Sequence, residues 1–446
     1  MPEHYFAAVD ADTLQMKGVG RDGKRQAGPA PLSAGCAALS GKIRDFAASG
    51  RPRAQTLFLA TLGMACFDID TASATPIGVS IPRQPFLERS AVGTPAQLHE
   101  ALGEGRWGQS DAWNLPYMFY FPYRAAKVKD VVLFLQEAVL PRLPPGAKGS
   151  FVYLLEDVEV EEAATAEQVR LLYDNGTPPM LHAFVEETPF MRAWPDLDTL
   201  RGDNAAKLAA VSAPAARVAW AAKEPRVIFR GGPHGPREWG VYPDQLGPAE
   251  MEALSGARGL ARPPHAQCAN KPRVQLAVLC REAAALRGLC DVKLSHGVGN
   301  KCGGGGFEAL GLAEAGEADY VAFADWQRYR AVFNVDGYGA AFSFAARLGL
   351  GSPVLKLASP LREEFERFLV PGVHYVPVDL RNVSTVVPYV LDDANAAEMQ
   401  EVAWNAGRVA AERLGLAATA DRAAAALAGI WAQMVQDGAA GEARTE

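Results

Sequence analysis

Residues 331–357 of this chain read as an apolar strand, a glycine-rich turn, a helix of small residues and a second apolar strand. The turn is Asp336-Gly337-Tyr338-Gly339. Glycine lets the backbone approach a ligand closely, and free N–H groups at a helix start favour an anion. The pattern therefore predicts a βαβ unit in a parallel sheet, with a nucleotide-type ligand at the turn. Because the turn is neither G-x-G-x-x-G nor a P-loop, the residues alone also allow a turn that binds nothing.

The composition limits the classes of partner. The 446 residues are enough for two or three domains, each with its own core. A net charge of −7 and a pI near 5.7 give no basic surface, so nucleic acid and anionic membrane are not expected partners. The longest apolar run, residues 57–67, is shorter than the roughly 18 residues of a membrane span. The N-terminal residues do not resemble a signal peptide. We therefore expect a soluble protein, and although this pattern alone indicates the cytosol, the residues leave the compartment open.

The cysteines and one acidic pair are the candidate metal ligands. The spacings between the cysteines fit no C-x-x-C metal knuckle, so free thiols are favoured over disulfides, and disulfides over zinc. Asp68-Ile69-Asp70 matches D-x-D literally, but it directly follows an apolar run, and no metal site is expected there. The six cysteines are Cys36, Cys66, Cys268, Cys280, Cys290 and Cys302.

Hydrophobic periodicity and turn residues predict the remaining elements. Helices are expected at residues 37–48, 131–142, 273–286 and 423–435, with a further long helix capped by Asp393. Strands are expected at residues 150–155, 180–184, 226–229 and 373–378. The strand at 150–155 delivers Glu156 and Asp157 at its carboxyl end, where open α/β sheets place ligand chemistry. A strand-end aspartate is either a turn cap or a catalytic carboxylate, and the residues alone leave both open.

From Phe229 onward the chain resembles the Rumi-type protein O-glucosyltransferases, a family that includes fungal capsule xylosyltransferases. The order and spacing of four blocks carry the resemblance. The blocks are Phe229-Arg230-Gly231 before a loop ending in Arg237, residues 333–344 (FNVDGYGAAFSF), residues 373–378 (VHYVPV) after a Glu/Phe-rich helix, and the helix at residues 392–414.

The resemblance implies a fold and an activity. The fold would be α/β, with two Rossmann-like domains facing across a cleft (the glycosyltransferase-B architecture) and C-terminal helices packing back toward the N-terminal domain. The enzyme would be inverting, would need no metal or cofactor, and would move glucose, xylose or a similar sugar from a UDP-sugar donor to a hydroxyl on a protein or glycan acceptor. Eukaryotic relatives are lumenal.

The domains implied are a loosely structured lead (1–50), an acceptor and catalytic-base domain (51–210), a UDP-sugar-binding domain (211–400), C-terminal helices (401–438) and a frayed tail (439–446).

The resemblance also assigns roles to particular residues. Asp157 would be the catalytic base. The donor would be held by Arg230, Gly231, Gly232, Arg237, Tyr338, Gly339, Ala340, Ala341, Phe342 and Ser343.

One position departs from the family pattern. Family members commonly have an arginine where this chain has Ser343. Leaving-group stabilisation would then come from Arg230, Arg237, Arg347 or the helix dipole. The alternative is a catalytically degenerate relative that binds a sugar or a partner without turnover.

Overall fold

A computed structural model describes residues 14–16, 36, 64–73, 77–81, 131–154, 180–182, 191–196, 218–233, 271–295, 314–315, 319–337, 339–359 and 361–442. The chain divides into two compact units. Unit 1 comprises Met1–Trp194 with Ala420–Glu446, and unit 2 comprises Pro195–Thr419. The domain boundary predicted between residues 210 and 211 lies outside the described residues, as does the helix predicted at 37–48.

Unit 2 is built on a six-stranded sheet in which every pair of neighbouring strands is parallel. The strand order is β12-β11-β10-β7-β8-β9. The α/β class with a parallel sheet, predicted from the βαβ pattern, is therefore confirmed. The strands are β7 (Glu224–Gly231), β8 (Cys290–Ser295), β9 (Glu314–Ala315), β10 (Tyr329–Asn334), β11 (Val354–Leu357) and β12 (Val376–Val378).

Helices cover both faces of this sheet, because alternate strand residues are apolar on both sides. The helices are α1 (Pro272–Glu282), α2 (Phe344–Leu348), α3 (Val383–Leu391) and α4 (Ala396–Arg413). Phe229 and Phe333 point into one core with α1 and α3. On the opposite face, Val354 packs in a core formed by α2 and α4. This two-sided packing leaves the carboxyl ends of the strands and the loops after them as the place for a ligand.

Unit 1 also has a six-stranded sheet, in the order β1-β3-β2-β4-β5-β6. Its β4, β5 and β6 are parallel, whereas β1, β3, β2 and β4 pair antiparallel along the other half. The antiparallel half is not part of the Rossmann-like arrangement expected for the first domain. The strands are β1 (Leu14–Met16), β2 (Met64–Asp70), β3 (Ile77–Ile81), β4 (Lys148–Leu154), β5 (Met180–His182) and β6 (Met191–Ala193).

A last helix, α5 (Leu416–Glu442), packs its C-terminal part in unit 1. The Trp431 indole lies so close to Gly149 of β4 that a Cβ there would stand 2.3 Å from its Nε1. Nε1 also donates to the Ser150 carbonyl at 3.4 Å. Arg142, at the end of the helical segment 131–142, pairs with Asp421. Glycine at 149 is therefore required by the close approach of the helix.

Several predicted details are corrected. Cys36 and Cys66 form a disulfide, whereas free thiols were favoured from spacing, which carries no information on which cysteines meet. The Asp392 side chain, not that of Asp393, caps the 3₁₀ turn before α4 by accepting from Ala394 N at 2.9 Å. Helix α5, predicted at residues 423–435, is longer and spans Leu416–Glu442. Among the helices of the described residues, none is both long and apolar enough to cross a membrane.

Candidate nucleotide-sugar site

The candidate site lies where β7 and β10 end side by side in the parallel sheet of unit 2. Strand β7 ends at Gly231 and β10 ends at Asn334, so the loops that follow them begin at the same edge. Most of the predicted donor residues belong to these two loops. The structure thus brings Gly231 and Gly232 to the same edge as the turn that contains Gly339.

Arg273, in the first turn of α1, joins the two loops. Its Nη1 donates to the Gly232 carbonyl at 3.2 Å. Its Nε donates to the carbonyls of Val335 and Asp336, each at 3.1 Å, and its Nη2 donates to Val335 at 2.8 Å. All these partners are neutral carbonyl groups, and no carboxylate among the described residues forms an ion pair with this guanidinium. Burial lowers the pKa of Arg273 to about 10, against the opposing charge of Asp336.

The glycines at 231 and 337 make room for this arrangement. A Cβ at Gly231 would stand 2.9 Å from the Phe229 ring, and one at Gly337 would stand 3.1 Å from Arg273 Nη2. Both distances are shorter than an ordinary van der Waals contact. Glycine at position 337 therefore allows the Arg273 guanidinium to lie close to the turn.

Arg347, on α2, carries a second guanidinium at the same edge, and unlike the partly exposed Arg273 it is buried. It is 5% exposed, and its Nη1 donates to Asn334 Oδ1 at 2.5 Å. Its Nε is buried with no hydrogen-bond partner in the described structure. Its Cζ lies 5.9 Å from the centroid of the Phe229 ring and 5.3 Å from that of Trp326. Phe229 thus contacts both guanidinium groups, since Arg273 Cζ is 5.7 Å from the same ring.

The surroundings of Arg347 disfavour the positive charge on its guanidinium. Burial, followed by the positive charge of Arg273, lowers the pKa of Arg347 to about 9, while Asp336 and Glu363 act in the opposite direction. Arginine remains protonated in proteins, so the charge stays and its surroundings are unfavourable. An anion bound beside Arg273 and Arg347 would relieve this repulsion.

The turn itself uses some of its amides internally. Asp336 Oδ1 accepts from the Ala341 N–H at 2.8 Å, and the Gly337 N–H donates to the Gly339 carbonyl at 2.9 Å. Ser343 is buried at the N-cap of α2, and Phe342 beside it is 46% exposed. Helix α2 has only five residues, so its dipole contributes less than a long helix would.

Arg230, predicted to approach the donor, is occupied by protein groups. Its Nη2 pairs with Asp291 Oδ1 at 2.8 Å, and the two side chains are only 13% and 10% exposed. Its Nε donates to the Asp319 carbonyl at 3.0 Å, and its Nη1 donates to the carbonyls of Phe229 and Asp291. These bonds fix the guanidinium against β8 and the segment at Asp319.

A buried charged cluster lies beside the arginines. Lys356, near the end of β11, is 3.0 Å from Glu366 Oε2 and 3.9 Å from Asp336 Oδ2. Glu363 caps the 3₁₀ helix Glu364–Phe368 through a capping box with Glu366. Lys356, Asp336 and Glu363 are each at most 5% exposed. The edge of the sheet therefore presents cations and carboxylates together.

Asp157, Arg237 and Tyr338 lie outside the described residues. Asp68 of the D-x-D sequence accepts from Ser150 Oγ at 2.6 Å, and Asp70 pairs with Lys148 at 3.0 Å. Within the described ranges, no group of three His, Cys, Asp or Glu side chains is placed to hold a metal ion.

Sequence reasoning did not select Arg273 or Glu363. Arg273 follows Pro272 at the start of a predicted helix, which is a signal for a residue at a helix N-terminus. Its contacts with Gly232 and Val335, however, join three segments that are distant along the chain. Only the three-dimensional structure reveals that juxtaposition.

The fold and the site together define a class of protein. Unit 2 is an α/β domain with a cationic, glycine-lined site at the carboxyl ends of a parallel sheet, as in nucleotide-binding proteins. Residues 312–421, which include the turn, Arg347 and Glu363, match the sequence model of "Glycosyl transferase family 90". The resemblance to Rumi-type glycosyltransferases is thereby confirmed over these residues, which are similar to that family.

Two curated relatives agree with the family match. Protein O-glucosyltransferase 3 of Homo sapiens is 39% identical over 77 residues, which is 17% of this chain and 15% of the relative. The Rattus norvegicus protein of the same name gives the same identity over the same length. The chain thus spans about 15% of the length of the curated relatives it matches.

Proposed function

We propose that this chain is an inverting, metal-independent glycosyltransferase. It moves a hexose or pentose of the glucose or xylose type from a UDP-sugar to a hydroxyl group on a protein or glycan. The observation that carries the proposal is the pair of guanidinium groups, Arg273 and Arg347, which flank Phe229 at the edge of the parallel sheet without a carboxylate partner among the described residues. The family match over residues 312–421 supports the same reaction class.

The two guanidinium groups suit a diphosphate. Charge develops on UDP as the bond to the sugar breaks, and fixed donors in a site that excludes water stabilise that charge by several kcal/mol. Arginine N–H groups match phosphate oxygens in geometry as well as in charge. The neutral carbonyls that hold Arg273 orient its guanidinium and leave its positive charge uncompensated.

In this proposal Arg347 takes the role of the arginine that family members commonly have at the position of Ser343. Ser343 immediately precedes α2, and Arg347 follows it by four residues, which is about one helical turn. A cation from the next turn of the same helix side can serve the same phosphate. This argument favours an active enzyme over the degenerate relative that Ser343 suggests.

The catalytic base in this proposal is Asp157. Its carboxylate takes the proton from the acceptor hydroxyl as the new bond to the sugar carbon forms and the bond to UDP breaks. The acceptor oxygen attacks from the side opposite UDP, so the anomeric centre inverts.

UDP binding tests the proposal most directly. Thermal unfolding is measured against UDP concentration for the wild type, Arg347→Met and the control Arg381→Met, whose side chain is 60% exposed. UDP should stabilise the wild type and the control, because a ligand that binds only the folded state raises its stability. Arg347→Met should bind UDP about tenfold to a hundredfold more weakly. Without ligand the variant should be at least as stable as the wild type, since it loses a buried charge that has no carboxylate partner.

Turnover decides between the active and the degenerate protein. UDP release is followed with UDP-glucose and UDP-xylose, with and without a chelator. The wild type should turn over one of them in either condition, and Asp157→Asn should lose at least roughly a hundredfold in rate while keeping UDP affinity. UDP binding without turnover of any UDP-sugar would instead favour the degenerate relative. Failure of the wild type to bind UDP would end the proposal.

A further inference from the structure

Two cysteines of unit 2 lie against each other at the amino end of β8, on the edge of the sheet opposite the candidate site. Cys280 is in the last turn of α1, and Cys290 is the first residue of β8. Both are free cysteines, and the Cys280 thiol is hydrogen-bonded to that of Cys290. Cys280 is 8% exposed and belongs to the core that includes α1 and α3, whereas Cys290 is partly buried and packs against that core. The pair therefore connects the end of a helix to the start of the next strand.

The short segment between the two cysteines holds their thiols together. A 3₁₀ turn, Ala284–Leu286, follows α1, and the Leu289 N–H donates to the carbonyl of Leu286 at 3.0 Å. Gly288 has a φ of 80°, in the left-handed region that favours glycine. The Leu289 carbonyl then accepts from a backbone N–H of β7 at 2.9 Å. This hydrogen-bonded reversal of the chain fixes where the two thiols meet.

The surroundings of the pair favour one chemistry. A structural zinc site takes four ligands, and within the ranges that the structure describes no third His, Cys, Asp or Glu joins these thiols in a group that could hold a metal ion. A nucleophilic cysteine has a lowered pKa and an open approach. Burial, followed by the hydrogen bond to Cys290, instead raises the pKa of the Cys280 thiol well above its ordinary value of 9.0. Oxidation to a disulfide is the reaction that uses both thiols.

A disulfide elsewhere in the chain indicates that an oxidant is present where this protein folds. Cys36 and Cys66 form that disulfide in unit 1. Disulfides form and persist in oxidising environments. Cys290 is partly exposed, so a small oxidant reaches one thiol of the second pair while the other thiol lies in hydrogen-bond contact with it. The conditions that join Cys36 to Cys66 therefore act on the second pair as well.

We propose that Cys280 and Cys290 are an oxidation site, at which a disulfide links the end of α1 to β8 within unit 2. The oxidant is a small disulfide of the glutathione type. The inference is independent of the proposed function. Because α1 carries Arg273 in its first turn, the bond also anchors the helix that presents this guanidinium.

The reaction is a pair of thiol–disulfide exchanges. The Cys290 thiolate, the more exposed of the two, attacks one sulfur of oxidised glutathione, whose S–S bond breaks, and one glutathione thiolate leaves. Cys280 then loses its proton, and its thiolate attacks the Cys290 sulfur and displaces the second glutathione thiolate. The protons from the two cysteines end on the two glutathione thiolates. One disulfide is formed in the protein, and one is reduced in the oxidant.

Peptide mapping of the full-length protein tests the inference. The protein is equilibrated in buffers of increasing oxidised-to-reduced glutathione ratio, its free thiols are alkylated in denaturant, and it is digested with trypsin. Cleavage after Arg273, Arg281, Arg287 and Lys293 places the two cysteines in separate peptides, residues 274–281 and 288–293. Mass spectrometry should find these two peptides joined in the oxidised sample and separately alkylated in the reduced one.

A comparison of folded and unfolded protein measures what the fold contributes. The glutathione ratio that links half of the pair should be at least roughly tenfold lower for the folded protein than for protein unfolded in urea, because the fold already holds the thiols together. Cys290→Ala is the matched control. It keeps the Cys36–Cys66 disulfide and should leave the peptide with Cys280 unlinked at every ratio.

Absence of the linked peptides from the oxidised wild type overturns the inference. Linkage of either cysteine to Cys268 or Cys302 instead, or a Cys290 that carries only glutathione while Cys280 is alkylated, overturns it too. A folded protein that needs the same glutathione ratio as the unfolded one, or a higher ratio, shows that the fold does not form the site. UDP is absent from all of these measurements, so the proposed function stands or falls separately.

Discussion

The carboxyl group of Glu363 lies in surroundings that oppose its ionisation. Burial raises the pKa of Glu363 well above its ordinary value of 4.5, and the charges of Asp196, Glu366 and Asp336 act in the same direction. Lys356 acts in the opposite direction, with a smaller effect. The folded protein therefore binds this proton more tightly than the unfolded chain does.

A pH series follows from the raised pKa of Glu363. Above pH 4.5 the unfolded chain releases the proton while the folded protein still holds it, so this group lowers the free energy of unfolding as pH rises toward the folded-state pKa. Glu363→Gln removes the titration. The variant should therefore gain stability relative to the wild type as pH rises through this window. Urea unfolding at several pH values from mildly acidic to mildly basic measures the difference, with Glu401→Gln as control. Parallel curves for wild type and Glu363→Gln would show that Glu363 titrates normally.

At the scale of elements, Arg230 connects neighbouring strands of the unit 2 sheet. It extends from β7 to Asp291 of β8, and Asp291 Oδ2 also accepts from the Tyr329 hydroxyl of β10 at 2.7 Å. Burial, followed by the hydrogen bond to Asp291, raises the pKa of Tyr329 to about 12. A guanidinium held in this way stabilises the sheet. Its predicted contact with the donor is a separate role, which a separate experiment tests.

Arg230→Met should lower the free energy of unfolding by about 3 kcal/mol, because it leaves the Asp291 charge buried and unpaired. Adding Asp291→Asn should recover part of the loss, since the asparagine is neutral and still accepts from Tyr329. Chemical unfolding of the two single variants and the double variant measures this coupling.

The UDP affinity of the folded Arg230→Met protein tests whether Arg230 also contacts the donor. A Kd within roughly threefold of wild type assigns Arg230 to the fold, whereas a loss of tenfold or more supports its predicted contact with the diphosphate.

The elements of unit 2 were more predictable than the contacts between them. Apolar runs and the Asp336-Gly337-Tyr338-Gly339 turn predicted β10, α2 and β11 because each depends on residues that are adjacent in sequence. Arg273 could not be selected in this way, since its partners at Gly232 and Val335 come from separate loops. The salt bridge of Arg230 to Asp291 depends on strand order, which the sequence left open. Local pattern thus predicts elements, and tertiary packing decides which side chains meet.

At the scale of the whole molecule, one unit is continuous in sequence and the other is built from two separate stretches of the chain. Unit 2 is one continuous stretch, whereas unit 1 joins Met1–Trp194 to the returning residues Ala420–Glu446. Within unit 1, Trp431 of α5 lies against β4, and the Cys36–Cys66 disulfide joins residues that are 30 positions apart. Neither pairing has a local signature, which explains why the sequence predicted a helix at the end of the chain but not its partner strand.

The continuity of unit 2 leads to a prediction for the isolated segment 195–419. All the described residues of the candidate site belong to it, including both strand ends, Arg273, Arg347 and Glu363. Its parallel sheet has helices packed on both faces, so its main cores are internal to the segment. The segment should therefore fold alone and bind UDP with a Kd within about tenfold of the full chain, a difference of roughly 1.4 kcal/mol. It should show no transfer activity, because the segment lacks Asp157, the catalytic base in the proposed function. Calorimetry with UDP and a UDP-release assay on the segment and the full chain measure both properties, and Arg347→Met in the segment is the control for specific binding. A folded segment without UDP affinity would show that residues outside 195–419 complete the nucleotide site.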